Sequence, residues 1–266
     1  MTPVKKVCVI TGGTSGIGRE TALYLVKNGC TVYELSRRAE GVAGLRHISA
    51  DVTDEASVCR AVEQILQEAG QIDILVNNAG FGISGAVEFT DTEEAERQFN
   101  VNFFGMVNMN HAVLPVMRQQ GGGRIVNMSS VAAPIAIPFQ AYYSASKAAV
   151  RTYSLALASE VRPFGIEVCV IMPGDIATGF TAARRKSCDG DDVYNGRIAR
   201  SVAVMEHDER TGMSAQFAGQ FVARRATQKH PKLICTMGRK YALFVFLMRI
   251  LPTRTATRIV GRIYAS

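Results

Sequence analysis

No two of the six cysteines stand in a C-x-x-C pair; Cys8, Cys30, Cys59, Cys169, Cys188 and Cys235 are scattered along the chain. That spacing argues against a zinc site or a local disulfide. Cys8 and Cys169 also fall inside apolar runs, where a thiol behaves as a small hydrophobe. Nor is there a basic-then-apolar leader: residues 1–6 are short and polar, and the apolar run behind them, 7–10, has the length of a strand. The expectation is six reduced thiols, no metal, and a cytoplasmic protein. Repeats, low-complexity tracts and an interdomain linker are missing too, so residues 1–266 read as one domain. Acidic residues run out before the end of the chain. From Arg210 onward there are 11 Lys or Arg and no Asp or Glu, whereas the preceding 209 residues hold 19 basic and 23 acidic groups. The net charge of +7 therefore belongs to the last fifth, which carries no motif of a nucleic-acid reader.

What is present is a rhythm of apolar, β-branched runs at 7–11, 31–35, 45–50, 72–77, 124–128, 166–172 and 233–236. Most are continuously apolar, as parallel strands covered on both faces are. Helix-length segments at 17–27, 55–68, 93–119 and 140–160 lie between them. This β-α alternation predicts an α/β fold, a Rossmann-like doubly wound parallel sheet of about seven strands with helices on both faces. Ligands then belong at the carboxyl ends of the strands.

The unusual residues fall there. After the first run comes T-G-G-T-S-G-I-G, in which Gly12, Gly16 and Gly18 allow a sharp turn and a close approach to a pyrophosphate at a helix N-terminus. Thr14, Ser15 and Ile17 complete that turn. The second run ends in Ser36-Arg37-Arg38. An acidic residue there would favour NAD, whereas an arginine accommodates a 2′-phosphate. Arg37, with Ser15 and Ser36 as hydrogen-bond donors, favours NADP(H). Glu34 is expected to point away from the site occupied by Ser36. Asp51 and Val52 follow the third run, placed to meet an adenine amino group and ring. Asn77-Asn78-Ala79-Gly80 follows the fourth, with small residues under the cofactor and Asn78 free to bond a neighbouring strand.

Tyr143 and Lys147 stand one helical turn apart on one face. A phenol with an ordinary pKa near ~10 needs its anion stabilised to work as an acid-base group near neutrality, and an ammonium one turn away does that. Ser130, after the fifth run, can hydrogen-bond a developing alkoxide. The Asn102 side chain can hold a water that relays protons to Lys147.

On these residues the chain resembles the short-chain dehydrogenase/reductase family across nearly its whole length. The matching positions are Thr11-Gly12-x-x-x-Gly16-x-Gly18, Asp51, Asn77-Asn78-Ala79-Gly80, Asn102, Ser130, Tyr143-x-x-x-Lys147 and Pro173-Gly174-x-x-x-Thr178. The resemblance implies a tetrad of Asn102, Ser130, Tyr143 and Lys147, with the tyrosine as acid-base group and the serine positioning the substrate oxygen. It also implies that Lys147 holds the nicotinamide ribose, that Ile176 and Thr178 hold the carboxamide, and that the chain forms a homodimer or homotetramer.

Substrate residues are less specific. Residues 178–212 read as an amphipathic lid carrying Phe180, Tyr194, Val202, Val204 and Met205, opposite a wall of Phe81, Val131, Ala132, Pro134, Ile135, Phe139 and Gln140. The cleft is expected to take an apolar small molecule. The chain lacks the valine-aspartate-glycine-glycine ending usual in ketoacyl reductases of this family and continues instead through a basic-apolar extension, 239–266. That tail looks like the hydroxysteroid and retinol dehydrogenase branch, so a hydroxysteroid dehydrogenase is expected, with a ketoacyl-thioester, retinal or long-chain ketone reductase as the alternative. A sensor or scaffold that binds NADP without turnover is a further alternative, against which the intact tetrad argues. The apolar stretch 241–251 is too short to span a bilayer, which takes ~20 residues; it is read as a helix that covers the cleft or a neighbouring subunit, or lies on an anionic membrane surface.

Overall fold

The computed structural model describes residues 5–265; residues 1–4 of the polar leading segment, and residue 266, lie outside them. Seven parallel strands form the main sheet: β1 (Val7–Thr11), β2 (Thr31–Ser36), β3 (Arg46–Ser49), β4 (Ile74–Asn77), β5 (Gly123–Met128), β6 (Ile166–Met172) and β7 (Ile234–Thr236). Their spatial order is β7-β6-β5-β4-β1-β2-β3. The order reverses between β1 and β4, the switch point where an open α/β sheet opens a crevice.

The continuously apolar strand sequences follow from burial on two sides. Val7, Val9, Tyr33 and Leu35 face a core shared with α2 (Glu55–Ala69), α4 (Gly105–Gln119) and α5 (Ala141–Val161). Their alternates Cys8, Ile10, Val32, Ile74 and Val76 face α1 (Gly16–Lys27) and α8 (Ala215–Thr227). All six cysteines are free thiols.

The expected helix over 93–119 is interrupted. α3 (Thr92–Phe99) passes into a π-helical turn, Asn100–Phe104, before α4 begins. Two contacts hold the interruption: the Asn102 side chain reaches the Phe81 backbone, and Gly105 fits where a Cβ would lie 2.6 Å from Val52.

After β6 the chain runs through α6 (Phe180–Ala183) and α7 (Arg197–Arg210). Two short parallel ladders pin this stretch to the body, Ile83–Ser84 with Arg185–Lys186 and Ile176–Ala177 with Met213–Ser214. The C-terminal extension is two helices, α9 (Arg239–Ile250) and α10 (Thr253–Tyr264), parted at Pro252. No helix among the described residues is long and apolar enough to cross a membrane.

Candidate active site

A cleft of about 480 Å³ opens at the carboxyl ends of β1, β4, β5 and β6. Its floor is the turn after β1. Gly12 (φ +67°) and Gly16 (φ +53°) take the left-handed conformation that suits glycine. At Gly18 a Cβ would lie 2.4 Å from the Gly12 carbonyl and 2.5 Å from Asn78 Nδ2, so only hydrogen fits. Asn78 knits this turn to β4: Nδ2 donates to the Thr11 and Gly12 carbonyls at 3.0 and 3.1 Å, and its backbone N–H donates to Thr11 Oγ1. Of the residues expected to hold a dinucleotide, Gly12, Thr14, Ser15, Gly16, Ile17, Asn78, Ala79, Gly80, Tyr143, Lys147, Pro173, Gly174, Ile176 and Thr178 line the cleft. Ser15 precedes α1, so the first amide groups of the helix face this space.

The adenosine end departs from expectation in three ways. Glu34 does not point away from Ser36. Residues two apart on a strand share a face, and the Glu34 carboxylate is buried under the glycine turn, where it accepts from the Gly13 N–H at 3.2 Å and contacts His47 Nδ1 at 2.6 Å. His47 Nε2 reaches the Arg38 carbonyl at 2.9 Å, fixing the backbone just beyond β2. Second, Arg38 lines the cleft whereas Arg37 is exposed outside it. Ser36 does not line the cleft either; its Oγ is buried beside this end with no protein partner. Third, Asp51 turns its carboxylate back on Thr53 and Val52 packs against Gly105, so neither lines the cleft.

Ser130, Tyr143 and Lys147 meet in the middle of the cleft. Lys147 Nζ donates to the Met128 carbonyl at 2.9 Å and lies 5.8 Å from the Tyr143 ring centre. Burial pushes the Tyr143 phenol up to about 12, against the opposing pull of a hydrogen bond with Ser130. Burial likewise brings the Lys147 ammonium down to about 8. Asn102 stands beside them but is not free to hold a water in the expected way. Its Oδ1 accepts from the Phe81 N–H at 2.9 Å, and its Nδ2 donates to the Phe81 carbonyl and Ser146 Oγ at 3.0 and 3.2 Å. Its amide clamps the Phe81 loop instead, and a cavity of about 10 Å³ beside it is the size of one water. A Cβ on Gly80 would lie 3.0 Å from Asn102 Oδ1 and 3.5 Å from Lys147 Nζ, so the glycine keeps these two groups accessible to each other.

On the substrate side, Phe81, Val131, Ala132, Ile135, Gln140 and Phe180 line the cleft as expected; Pro134 and Phe139 do not. The lid reading fails in part. Val202 and Met205 are buried outside the cleft, and Tyr194 packs edge-on against Phe89 and Phe139. Glu209, held by Thr181 and Arg184, is what α7 contributes. The far wall comes from Tyr241 and Phe244 of α9, in the stretch expected as a helix over the cleft or a neighbouring subunit, and from two residues the sequence had not singled out, Asp175 and, on α10, Tyr264. Tyr241 donates to Asp175 Oδ2 at 2.7 Å; burial raises the pKa of both groups. The spacing of Tyr241 and Phe244, three apart, was the available signal for a cleft-facing stripe.

A glycine cradle that a Cβ would fill, a helix N-terminus behind it and an orphaned hydroxyl at its adenosine end fit a dinucleotide. Fold and site together define an oxidoreductase that uses a nicotinamide cofactor. A family model of the short chain dehydrogenases matches residues 6–189, and the chain belongs to the short-chain dehydrogenase/reductase family. It is similar to the 3-ketodihydrosphingosine reductase of Bacteroides thetaiotaomicron, at 44% identity over 236 residues that cover 88% of each chain. Among solved structures it is similar to a short-chain dehydrogenase from Streptomyces avermitilis, with TM-score 0.86 and 30% identity over 98% of this chain and 99% of that one. It is also similar to the 3-ketoacyl-(acyl-carrier-protein) reductase of Brucella melitensis complexed with NADH, with TM-score 0.72 and 27% identity over 87% and 96%.

Proposed function

We propose that this chain, as one domain, reduces the ketone of a long-chain, sphingoid-type substrate to a secondary alcohol at the expense of NADPH. The observation that carries the choice of substrate is the 44% identity, over 88% of both chains, with a 3-ketodihydrosphingosine reductase. The cleft agrees with it, because apolar walls from Phe81 and Ile135 to Phe244 and Tyr264 suit an alkyl chain. The expectation of a steroid rests on an apolar cleft and on the presence of the tail, and both suit any apolar chain. Arg38 supports NADPH over NADH, since it lines the cleft where it can engage a 2′-phosphate.

A nicotinamide held in this cleft would supply the hydride. The Ser130 and Tyr143 hydroxyls hold the ketone oxygen between them, and Tyr143 gives up its proton as negative charge grows there. A developing alkoxide is a stronger base than a phenolate, so a phenol pushed up to about 12 still transfers its proton downhill. Lys147 steadies the phenolate left behind, and the Asn102 clamp fixes the Phe81 loop beside the lysine.

Oxidation of NADPH, followed by absorbance, against 3-ketodihydrosphingosine, a steroid ketone, retinal and an acetoacetyl thioester tests the reading. Turnover of the first should exceed the others and should fall by roughly two to four orders of magnitude in Tyr143→Phe, while NADPH binding survives. Preference for the steroid or the thioester would overturn the choice of substrate. Undiminished physiological activity in Tyr143→Phe would instead favour a sensor or scaffold.

A further inference from the structure

Helix α9 is apolar on two sides. Tyr241 and Phe244 turn inward to the cleft, whereas Leu243, Phe246 and Ile250 point outward with 59%, 59% and 61% of their surface exposed. Together with half-exposed Leu247, these occupy positions i, i+3, i+4 and i+7, a continuous stripe along one face. A helix apolar on two opposite sides is suited to burial on both, and among the described residues nothing covers the outer face.

The two helices that frame the stripe carry one sign of charge. Arg254, Arg258 and Arg262 recur every fourth residue on α10, all exposed, and Arg249 closes the end of α9. Among the described residues none of the four enters an ion pair, and no acidic residue follows Glu209. At 12 residues α9 is about 18 Å long, too short to cross a hydrocarbon core of ~30 Å.

We propose that the outer face of α9 and the arginine ridge of α10 dock on an anionic lipid bilayer, with the stripe seated among the acyl chains near the headgroups and the arginines against lipid phosphates. Three observations select this occupant. An apolar stripe edged by cations, on two helices that carry no acidic residue of their own, is complementary to a negatively charged interface. A second copy docking by a two-fold through the same face would bring its arginine ridge against this one, like against like. Third, the inner side of the same helix walls the cleft through Tyr241 and Phe244, so a bilayer seated on the outer face would bring an alkyl-chain substrate to that wall. The surface itself does not depend on which ketone is reduced, and vesicle binding tests it apart from turnover.

The experiment is sedimentation of the full chain with vesicles of phosphatidylcholine alone, or of phosphatidylcholine mixed with phosphatidylglycerol. The chain should pellet with the mixed vesicles and be released as salt rises. Replacing Arg254, Arg258 and Arg262 together by Gln should weaken binding roughly a hundredfold, at about one lipid-charge contact each. Replacing Leu243, Phe246 and Ile250 by Ser should also release the protein, while reduction of a short, water-soluble ketone continues in both variants. Wild-type protein that stays in the supernatant with both vesicles would overturn the proposal. So would an apolar-face variant that still binds, or one that instead converts an oligomer to a smaller species in analytical ultracentrifugation, which would give the face to a second copy.

Discussion

Lys147 and Tyr143 are buried one helical turn apart, with the ammonium 5.8 Å from the phenol ring centre and its proton directed at the Met128 carbonyl. Burial acts on them in opposite directions, raising the acidity of the lysine and lowering that of the tyrosine. The lysine therefore loses its charge first as pH rises. With its pKa brought down to about 8, it is cationic at neutral pH and neutral above that value. Without the cation the phenolate formed during ketone reduction is unsupported. kcat/KM for reduction should be level through neutrality and decline above about pH 8, the limb belonging to the free enzyme. A profile flat to about pH 10 would show that Lys147 keeps its ordinary value.

Arg38, not Arg37, should govern the choice of cofactor. Loss of one charge-assisted phosphate contact is worth about 1.5–3 kcal/mol, or ~10- to 100-fold. Arg38→Ala should raise KM for NADPH by that factor and leave KM for NADH nearly unchanged, whereas Arg37→Ala should do much less. Steady-state kinetics with both cofactors decides it, and equal effects of Arg38→Ala on the two would place the phosphate elsewhere.

The sheet was legible because its central strands are buried on both faces, so their apolar runs carry no competing signal. Motif positions at strand ends were legible for the same reason, being the polar and glycine residues that break such runs. What escaped depends on contacts distant in sequence. The π-helical turn at Asn100–Phe104 keeps helical periodicity, and only the reach of Asn102 to Phe81 shows where the helix is broken. Glu34 was misread through parity: positions 34 and 36 share a strand face, and His47 from β3 is what makes a buried carboxylate there tolerable. A helix as uniformly apolar as α9 does not reveal which side meets the cleft until the body is folded against it.

Gly80→Ala tests the spacing of the site. The added methyl would lie 3.0 Å from Asn102 Oδ1 and 3.5 Å from Lys147 Nζ, forcing one of them aside by a few tenths of an ångström or more. Displacements up to ~1 Å at such a site cost as much as ~100-fold in rate. kcat should fall by roughly ten- to a hundredfold, with thermal stability close to that of wild type; an unaltered kcat would mean that the Asn102–Lys147 arrangement is not critical.

Phe244→Ala separates chain binding from chemistry. The ring lines the cleft away from Ser130 and Lys147, so its loss should weaken an alkyl tail and spare the carbonyl. Removing a few apolar contacts of this size costs about 1–3 kcal/mol. KM for a long-chain ketone should rise roughly ten- to a hundredfold, with kcat and the kinetics of a short ketone little changed. Equal losses on both ketones would show that the chain runs elsewhere.

The Tyr241 ring lies flat on Gly174, where a Cβ would fall 2.4 Å from its atoms, and its hydroxyl is tied to Asp175 in the same turn. That turn, between β6 and Ile176, borders the part of the cleft proposed to hold the nicotinamide. Helix α9 thus cannot tilt or slide without dragging the turn along. Force applied to the outside of the molecule at its C-terminal end is delivered, through one aromatic ring, to the place where hydride would change hands.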